Sequence, residues 1–208
     1  MILDLHTHSI RSDDGRAKVE NYCQWIRQKQ VPLDGFVLTE HRQFDAESDY
    51  RRLEDAFGLI ILKGSEIETD HGHVLVYGVS DDLLHTVDFG RIDNPLGDVL
   101  DAARRHGAVA APAHPGRPNV GLFDHFARRG AAPGVELVEI YNGNSRPGED
   151  ERAAAEAARL GYRGIAGSDS HIVSRIGRCG TEFTDPIATT ADLVAALASG
   201  RFEARRLT

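Results

Sequence analysis

The sequence predicts an α/β fold: a parallel sheet joined by crossover helices and closed into a barrel. Two observations carry this. Short apolar runs of strand type alternate with longer amphipathic segments about seven times along the 208 residues, the pattern of repeated βα units. The apolar runs also end again and again on a metal-ligand type of residue, namely His6 and His8, His41, Glu66, His114, Asp169 and His171. That is expected where the strands of a barrel deliver their C-terminal ends to one face.

The elements follow in order. Ile2-Leu3-Asp4-Leu5 reads as a short buried strand, and His6 and His8 stand two residues apart at its end. Side chains alternate faces along a strand, so both imidazoles point the same way and can hold one metal ion. A polar turn at 9–15 precedes a helix over about 17–30, where Val19, Tyr22, Cys23 and Ile26 fall at i, i+3, i+4, i+7 and Pro32 stops the run. A strand at 35–39 closes on Glu40-His41, and a helix is expected over 44–57. Leu59 to Leu62 is a third strand, ending at Gly64-Ser65-Glu66. Residues 73–78 form a fourth, with its candidate ligand at the start. Residues 80–94 are acidic and read as irregular. A helix over 95–106 stops at Gly107, and a strand over 108–113 ends at His114. After a short helix over 120–129 come a strand over 135–141, an Ala-rich helix over 149–160 with Gly161 as its stop, and a strand at 164–167 ending in Ser168-Asp169-Ser170-His171. A last strand near 181–183 precedes a helix capped by Thr189 or Thr190. No repeat, low-complexity run or linker divides residues 1–208, so one domain is expected.

Composition narrows the function classes. With 24 basic and 32 acidic residues the net charge is −8, which argues against a chain that coats nucleic acid or an anionic membrane. A phosphate substrate stays compatible, because bound cations can invert the local potential. Cys23 and Cys179 are the only cysteines and form no CxxC pair, so a reduced, cytoplasmic protein is expected. Asp4 and His6 interrupt any signal-type apolar stretch, and no apolar run approaches the roughly 20 residues of a membrane helix.

Ten histidines are many for this length. The strand-end set is rich in imidazole, contains carboxylates and lacks thiolate. It suits a catalytic site with open positions better than a closed structural zinc site. His73 lies close enough to Glu66 in sequence to share a site, with His71 as its rival, whereas His85, His106 and His125 read as surface residues. Arg117 and Asn142, on turns that follow strands, are candidate substrate contacts.

Asp-Leu-His-Thr-His at 4–8, Thr-Glu-His at 39–41, Gly-Ser-Glu at 64–66, Ala-His-Pro-Gly at 113–116 and Gly-Ser-Asp-Ser-His at 167–171 together resemble the motifs of the PHP (polymerase and histidinol phosphatase) family of metal-dependent phosphoesterases. The resemblance runs in order along nearly the whole chain. It implies a distorted (β/α)7 barrel with two or three divalent ions, Zn, Mn or Fe. The first ion would be held by His6, His8, Glu66 and Asp169, and the second by Glu66, His73 and His114, with Glu66 bridging. The third would take His41, His171 and an acidic residue of the turn after His8, for which Asp13 and Asp14 compete and an ungapped match favours Asp14. The chain departs from the family at Glu40, where Asp is commoner, and it lacks the inserted helical region of members that act on nucleoside bisphosphates and RNA ends.

The expected activity is hydrolysis of a phosphate ester on a small phosphorylated metabolite or nucleotide. A hydroxide between the first two ions would attack phosphorus, the third ion would orient the phosphate, and Glu66 would be indispensable. Histidinol phosphate is the alternative substrate. An amidohydrolase-like C–N hydrolase and a non-catalytic metal-binding module are the alternatives of other classes. No extended nucleic-acid track and no membrane partner are expected, although a short oligonucleotide end remains compatible.

Overall fold

A computed structural model describes residues 1–207. Its strands are Ile2–Thr7 (β1), Gly35–His41 (β2), Ile60–Thr69 (β3), Gly72–Tyr77 (β4), Val109–Pro112 (β5), Leu137–Asn142 (β6), Arg163–Gly167 (β7), Cys179–Phe183 (β8) and Phe202–Arg206 (β9). The helices are Val19–Lys29 (α1), Arg51–Phe57 (α2), Asp81–Thr86 (α3), Leu96–Arg105 (α4), Leu122–Arg129 (α5), Glu149–Leu160 (α6) and Thr190–Ser199 (α7). The 3.6-residue face read from the sequence is the buried face of α1, formed by Val19, Tyr22, Cys23 and Ile26. Gly161 ends α6 at a left-handed φ of 75°, a conformation glycine adopts without steric cost.

The fold is α/β and the sheet curls as a barrel does, but its ladder does not close. Seven strands run in the order β5-β4-β3-β2-β1-β8-β9, and β6-β7 form a separate parallel pair. Nor is the sheet wholly parallel. β1, β2 and β3 are parallel, whereas β4 runs antiparallel between β3 and β5, and β8 runs antiparallel to β1. The reason for the opening lies at β1. Its free edge is shared, with Ile2 and Leu3 pairing with Glu182 and Thr181 of β8, so only Thr7 remains to bridge Ser170 beyond β7. Tyr22 clamps this junction by donating to the carbonyls of both His8 and Ser170 at 2.8 Å.

Other expectations are corrected as well. The helix expected over 44–57 occupies only Arg51–Phe57, the irregular stretch contains α3, and β9 went unrecognised. The third strand continues to Thr69 and turns straight into β4, so Glu66 lies inside a strand rather than at its end. The reversal puts the first residues of β4 at the same end of the sheet as the last residues of β2. This explains why His73 is a candidate ligand at the start of its strand.

One apolar cluster lines the inside of the curl, including Leu3, Leu5, Val37, Leu62, Leu75, Ala111, Leu137 and Ile165, and Leu193 and Leu197 of α7 close it from below. Fully burying each such leucine stabilises the fold by about 1.5–3 kcal/mol. Strand parity then carries the same inward face upward: from Val37 to His41, from Leu62 to Glu66, from Leu75 to His73 and from Ile165 to Asp169. β1 breaks parity. Its register slips by one residue against β2 between Asp4 and Thr7. The bulge lets a strand that buries Leu3 and Leu5 inward also aim His6 inward.

Candidate metal centre

Three groups of ligand-type side chains meet at this end of the curl, with candidate ligand atoms within 4.8 Å of one another inside each group. They are His6, His8, Glu66 and Asp169; Glu66, His73 and His114; and His8, His41 and His171. Every metal-ligand residue expected from the sequence is in or beside these groups. Glu66 is almost completely buried and divides its two oxygens between them. Oε2 lies 3.2 Å from Nε2 of both His6 and His8 and 3.1 Å from His41 Nδ1. Oε1 lies 2.9 Å from His73 Nδ1 and 3.0 Å from His114 Nε2.

Nε2 of His6 and Nε2 of His8 face each other at 3.0 Å. Asp169 Oδ1 sits 3.5 Å from both. His6 Nδ1 lies 3.1 Å from Glu139 Oε1. A carboxylate only accepts, so this contact calls for a proton on Nδ1, and in the neutral ring that a metal would bind the lone pair is then on Nε2. His171 is arranged in the same way, its Nδ1 donating to the Asp169 carbonyl at 2.9 Å. Lone pairs and carboxylate oxygens converging in a buried space are the donor set of a divalent cation, and these residues fit one.

The buried carboxylates also draw positive charge into this space. Burial alone would lower the His6 pKa, yet Glu139, Glu66 and Asp169 hold it well above the ordinary imidazole value. His8 is likewise pushed up to about 9: burial opposes the shift, and hydrogen bonds to Asp169 and Glu66 outweigh it. Burial would raise Glu66 and Asp169, but the surrounding imidazoles, led by His6, keep both well below the carboxylate range. Enclosed carboxylates cost several kcal/mol each unless positive charge answers them.

The third group is more open. Asp14 Oδ2 lies 3.0 Å from His171 Nε2 and 3.6 Å from His41 Nε2, with its side chain 53% exposed. Asp13 points elsewhere and pairs with Arg42 at 2.7 Å, so geometry separates the two acids that the sequence left in competition. Burial lowers the His41 pKa against the pull of Glu66.

The remaining candidates are placed as follows. His71 contacts Asp70 at 2.8 Å and the Gly130 carbonyl, outside the three groups. Arg117 Nη2 donates to Asp169 Oδ2 at 2.9 Å and to Asn142 Oδ1 at 3.1 Å, bracing Asp169 from the side away from His6 and His8. The Asn142 side chain is buried and donates to Glu139 at 2.9 Å, so both its polar ends face protein. Glu40, the departure from the family pattern, accepts from the hydroxyls of Ser9 and Ser12 at 2.6 Å each and ties the turn after His8 to β2.

Sequence reasoning missed two residues of this site. Asp4 is fully buried and accepts backbone N–H groups of Ser168 at 2.7 Å and Gly177 at 2.9 Å, and burial pushes its pKa up to about 6. Glu139 was also passed over. Its signal was available, since a lone acid interrupts the apolar run Leu137-Val138-Glu139-Ile140. Two ligand-type residues, His114 (φ 30°) and Asp169 (φ 52°), adopt left-handed backbone, a strain that persists only where surrounding contacts impose it. Gly167 beside them has no alternative, because a Cβ there would stand 2.5 Å from His6 Cβ.

A family model described as PHP-associated matches residues 147–202, the part that carries Asp169 and His171. A curated relative from Acetivibrio thermocellus, a "Probable phosphatase", is 24% identical over 206 residues, covering 85% of this chain and 82% of that protein. The chain is thus similar to PHP-associated sequence over that segment and to a probable phosphatase over most of its length. Among solved structures, this chain shares its fold with PsfC from Pseudomonas syringae PB-5123, with a TM-score of 0.72, 17% identity, and coverage of 99% of this chain and 91% of that one. It also resembles the lesion-specific endonuclease PfuEndoQ from Pyrococcus furiosus, with a TM-score of 0.67 and 15% identity over 98% of this chain, which spans 57% of that larger one. Among the described residues no helix is long and apolar enough to cross a membrane, and both cysteines are free and buried.

Proposed function

We propose that this protein is a metal-dependent phosphoesterase that hydrolyses a phosphate ester on a small phosphorylated metabolite or nucleotide. The observation that carries the reading is Glu66, whose two oxygens face two different ligand groups inside one buried pocket. In this reading divalent ions, Zn, Mn or Fe, are held by His6, His8, Glu66 and Asp169, by Glu66, His73 and His114, and by His41, His171 and Asp14. When bound, such ions supply Lewis acidity that activates water near neutral pH and offsets charge on phosphoryl oxygens.

The chain's own residues do the rest. Glu66 holds the first two groups in register. Glu40, through Ser12, fixes the turn that carries His8 and Asp14. Arg117 keeps Asp169 oriented and, 23% exposed, is the cationic side chain placed to meet a substrate phosphate. Asn142 serves as its anchor rather than as a substrate contact. The resemblance to a probable phosphatase supports the reaction class, and the net charge of −8 weighs against a long nucleic-acid track.

The test is release of phosphate from a panel of mono- and diesters, including 3′,5′-bisphosphonucleosides, histidinol phosphate and short oligonucleotides, with metal content measured on the same samples. Turnover of one class that is lost on chelation is expected. Bound metal without turnover of any phosphate ester would shift the reading to a C–N hydrolase or a non-catalytic module.

A further inference from the structure

The mechanism leaves Glu139 without a task, although it is a 1% exposed carboxylate at the heart of the site. It sits on β6, whose register slips by one residue against β7 between Glu139 and Tyr141. The bulge brings Asn142 round to the face that Glu139 already occupies, and the Asn142 side-chain amide donates to Glu139 Oε2 at 2.9 Å. The same oxygen accepts the backbone N–H of His114 at 2.8 Å. The two Glu139 oxygens lie 3.1 and 3.3 Å from His6 Nδ1. Three donors from three strand ends thus converge on one carboxylate that touches neither solvent nor the space between the ligand groups.

We infer that Glu139 is the positioning residue of the two inner metal sites, holding His6 as its Nδ1–H tautomer and His114 in its left-handed turn so that both present Nε2 to the metals. This rests on the metal-centre reading above and adds to it a residue outside the ligand set. Valence fixes the tautomer. An imidazole that donates from Nδ1 has only Nε2 left as a lone pair, and an acidic partner makes that nitrogen a better ligand. The backbone at His114 is strained. His114 at φ 30° is unfavourable for a side-chain-bearing residue, and a buried N–H bonded to a carboxylate is among the stronger contacts able to hold it there. His6 belongs to one ligand group and His114 to the next, so a single carboxylate ties the two together from behind, as Glu66 does from within.

Glu139→Gln is the informative change, because it keeps shape and volume but replaces one acceptor oxygen with a donor NH2. Whichever way the amide turns, it faces at least one N–H head-on. Zinc affinity is measured by competition with a chromogenic chelator on the purified full chain. Protonation of His6 in the zinc-loaded wild type is read by long-range 1H–15N NMR. The expected results are a loss of zinc affinity of about 10- to 100-fold in E139Q and a proton on His6 Nδ1 in the wild type. Wild-type zinc affinity in E139Q, or a proton on His6 Nε2, overturns the inference. A thermal melt checks that E139Q folds, and if it does not, the wild-type spectrum decides alone. Zinc binding that depends on Glu139 without turnover of any phosphate ester would sink the proposed reaction and leave this inference standing. A wild type that binds no zinc would sink both.

Discussion

The inner and outer parts of the metal centre are built differently. Around Glu66, His6, His8, His114 and Asp169 are all at most 3% exposed and are backed by Glu139 and Arg117, while His73, at 23%, stands at the rim of the inner part. The outer group of His41, His171 and Asp14 is partly open, and its acid lies on a turn with its side chain 53% exposed. Opposed charges in the dry inner part interact far more strongly than the same charges near water, but each depends on all the others. In the outer part less is gained on binding and less is lost on removal. The difference predicts that an ion held in the inner part would exchange more slowly than one held beside Asp14, whose side chain is 53% exposed.

Three experiments sharpen or break that contrast. The largest effect is expected from Glu66→Ala, which removes the acceptor shared by both inner groups. Phosphate-ester hydrolysis should fall to the level of chelated protein, with bound metal reduced to what the outer group retains. Wild-type turnover in this variant would end the idea of a shared inner core. Next, full chelation strips compensation from buried carboxylates. If the ions had been present about 1,000-fold above their dissociation constants, roughly 4 kcal/mol of stabilisation goes with them. At 2–4 °C per kcal/mol for a domain of this size, calorimetry should show the melting temperature fall by about 8–16 °C. Stepwise chelation followed by metal analysis should remove the outer ion first, and simultaneous loss of all ions would contradict the gradient. The smallest effect belongs to the outer acids. Asp14→Ala should cost about tenfold in kcat/KM, or about 1.4 kcal/mol, and at most one ion. Asp13→Ala should leave both unchanged, since that carboxylate is taken by Arg42. Equal losses in the two variants would mean that the turn rather than the Asp14 carboxylate matters.

The position of almost every candidate ligand was legible in the sequence, because a two-residue period says which side chains share a face and apolar runs say where strands end. His6 with His8 was legible from the period, and His41, His114 and Asp169 from the ends of apolar runs. The closed parallel barrel could not be separated from the open, mixed sheet, since β4 looks the same whichever direction it runs. The tight Thr69–Gly72 reversal, which replaces a crossover helix, is a local event with a global consequence.

Sequence by itself therefore determined the chemistry of the donors, their order and their spacing along the strands, because side-chain type and strand parity are local properties. Only the tertiary structure decided the rest. The one-residue slips in β1 and β6 turned His6 and Asn142 toward the site, Asp14 was separated from Asp13, and Glu139 was set behind both His6 and His114. These follow from how strands distant in the chain register against each other, and register is settled by packing the inside of the curl.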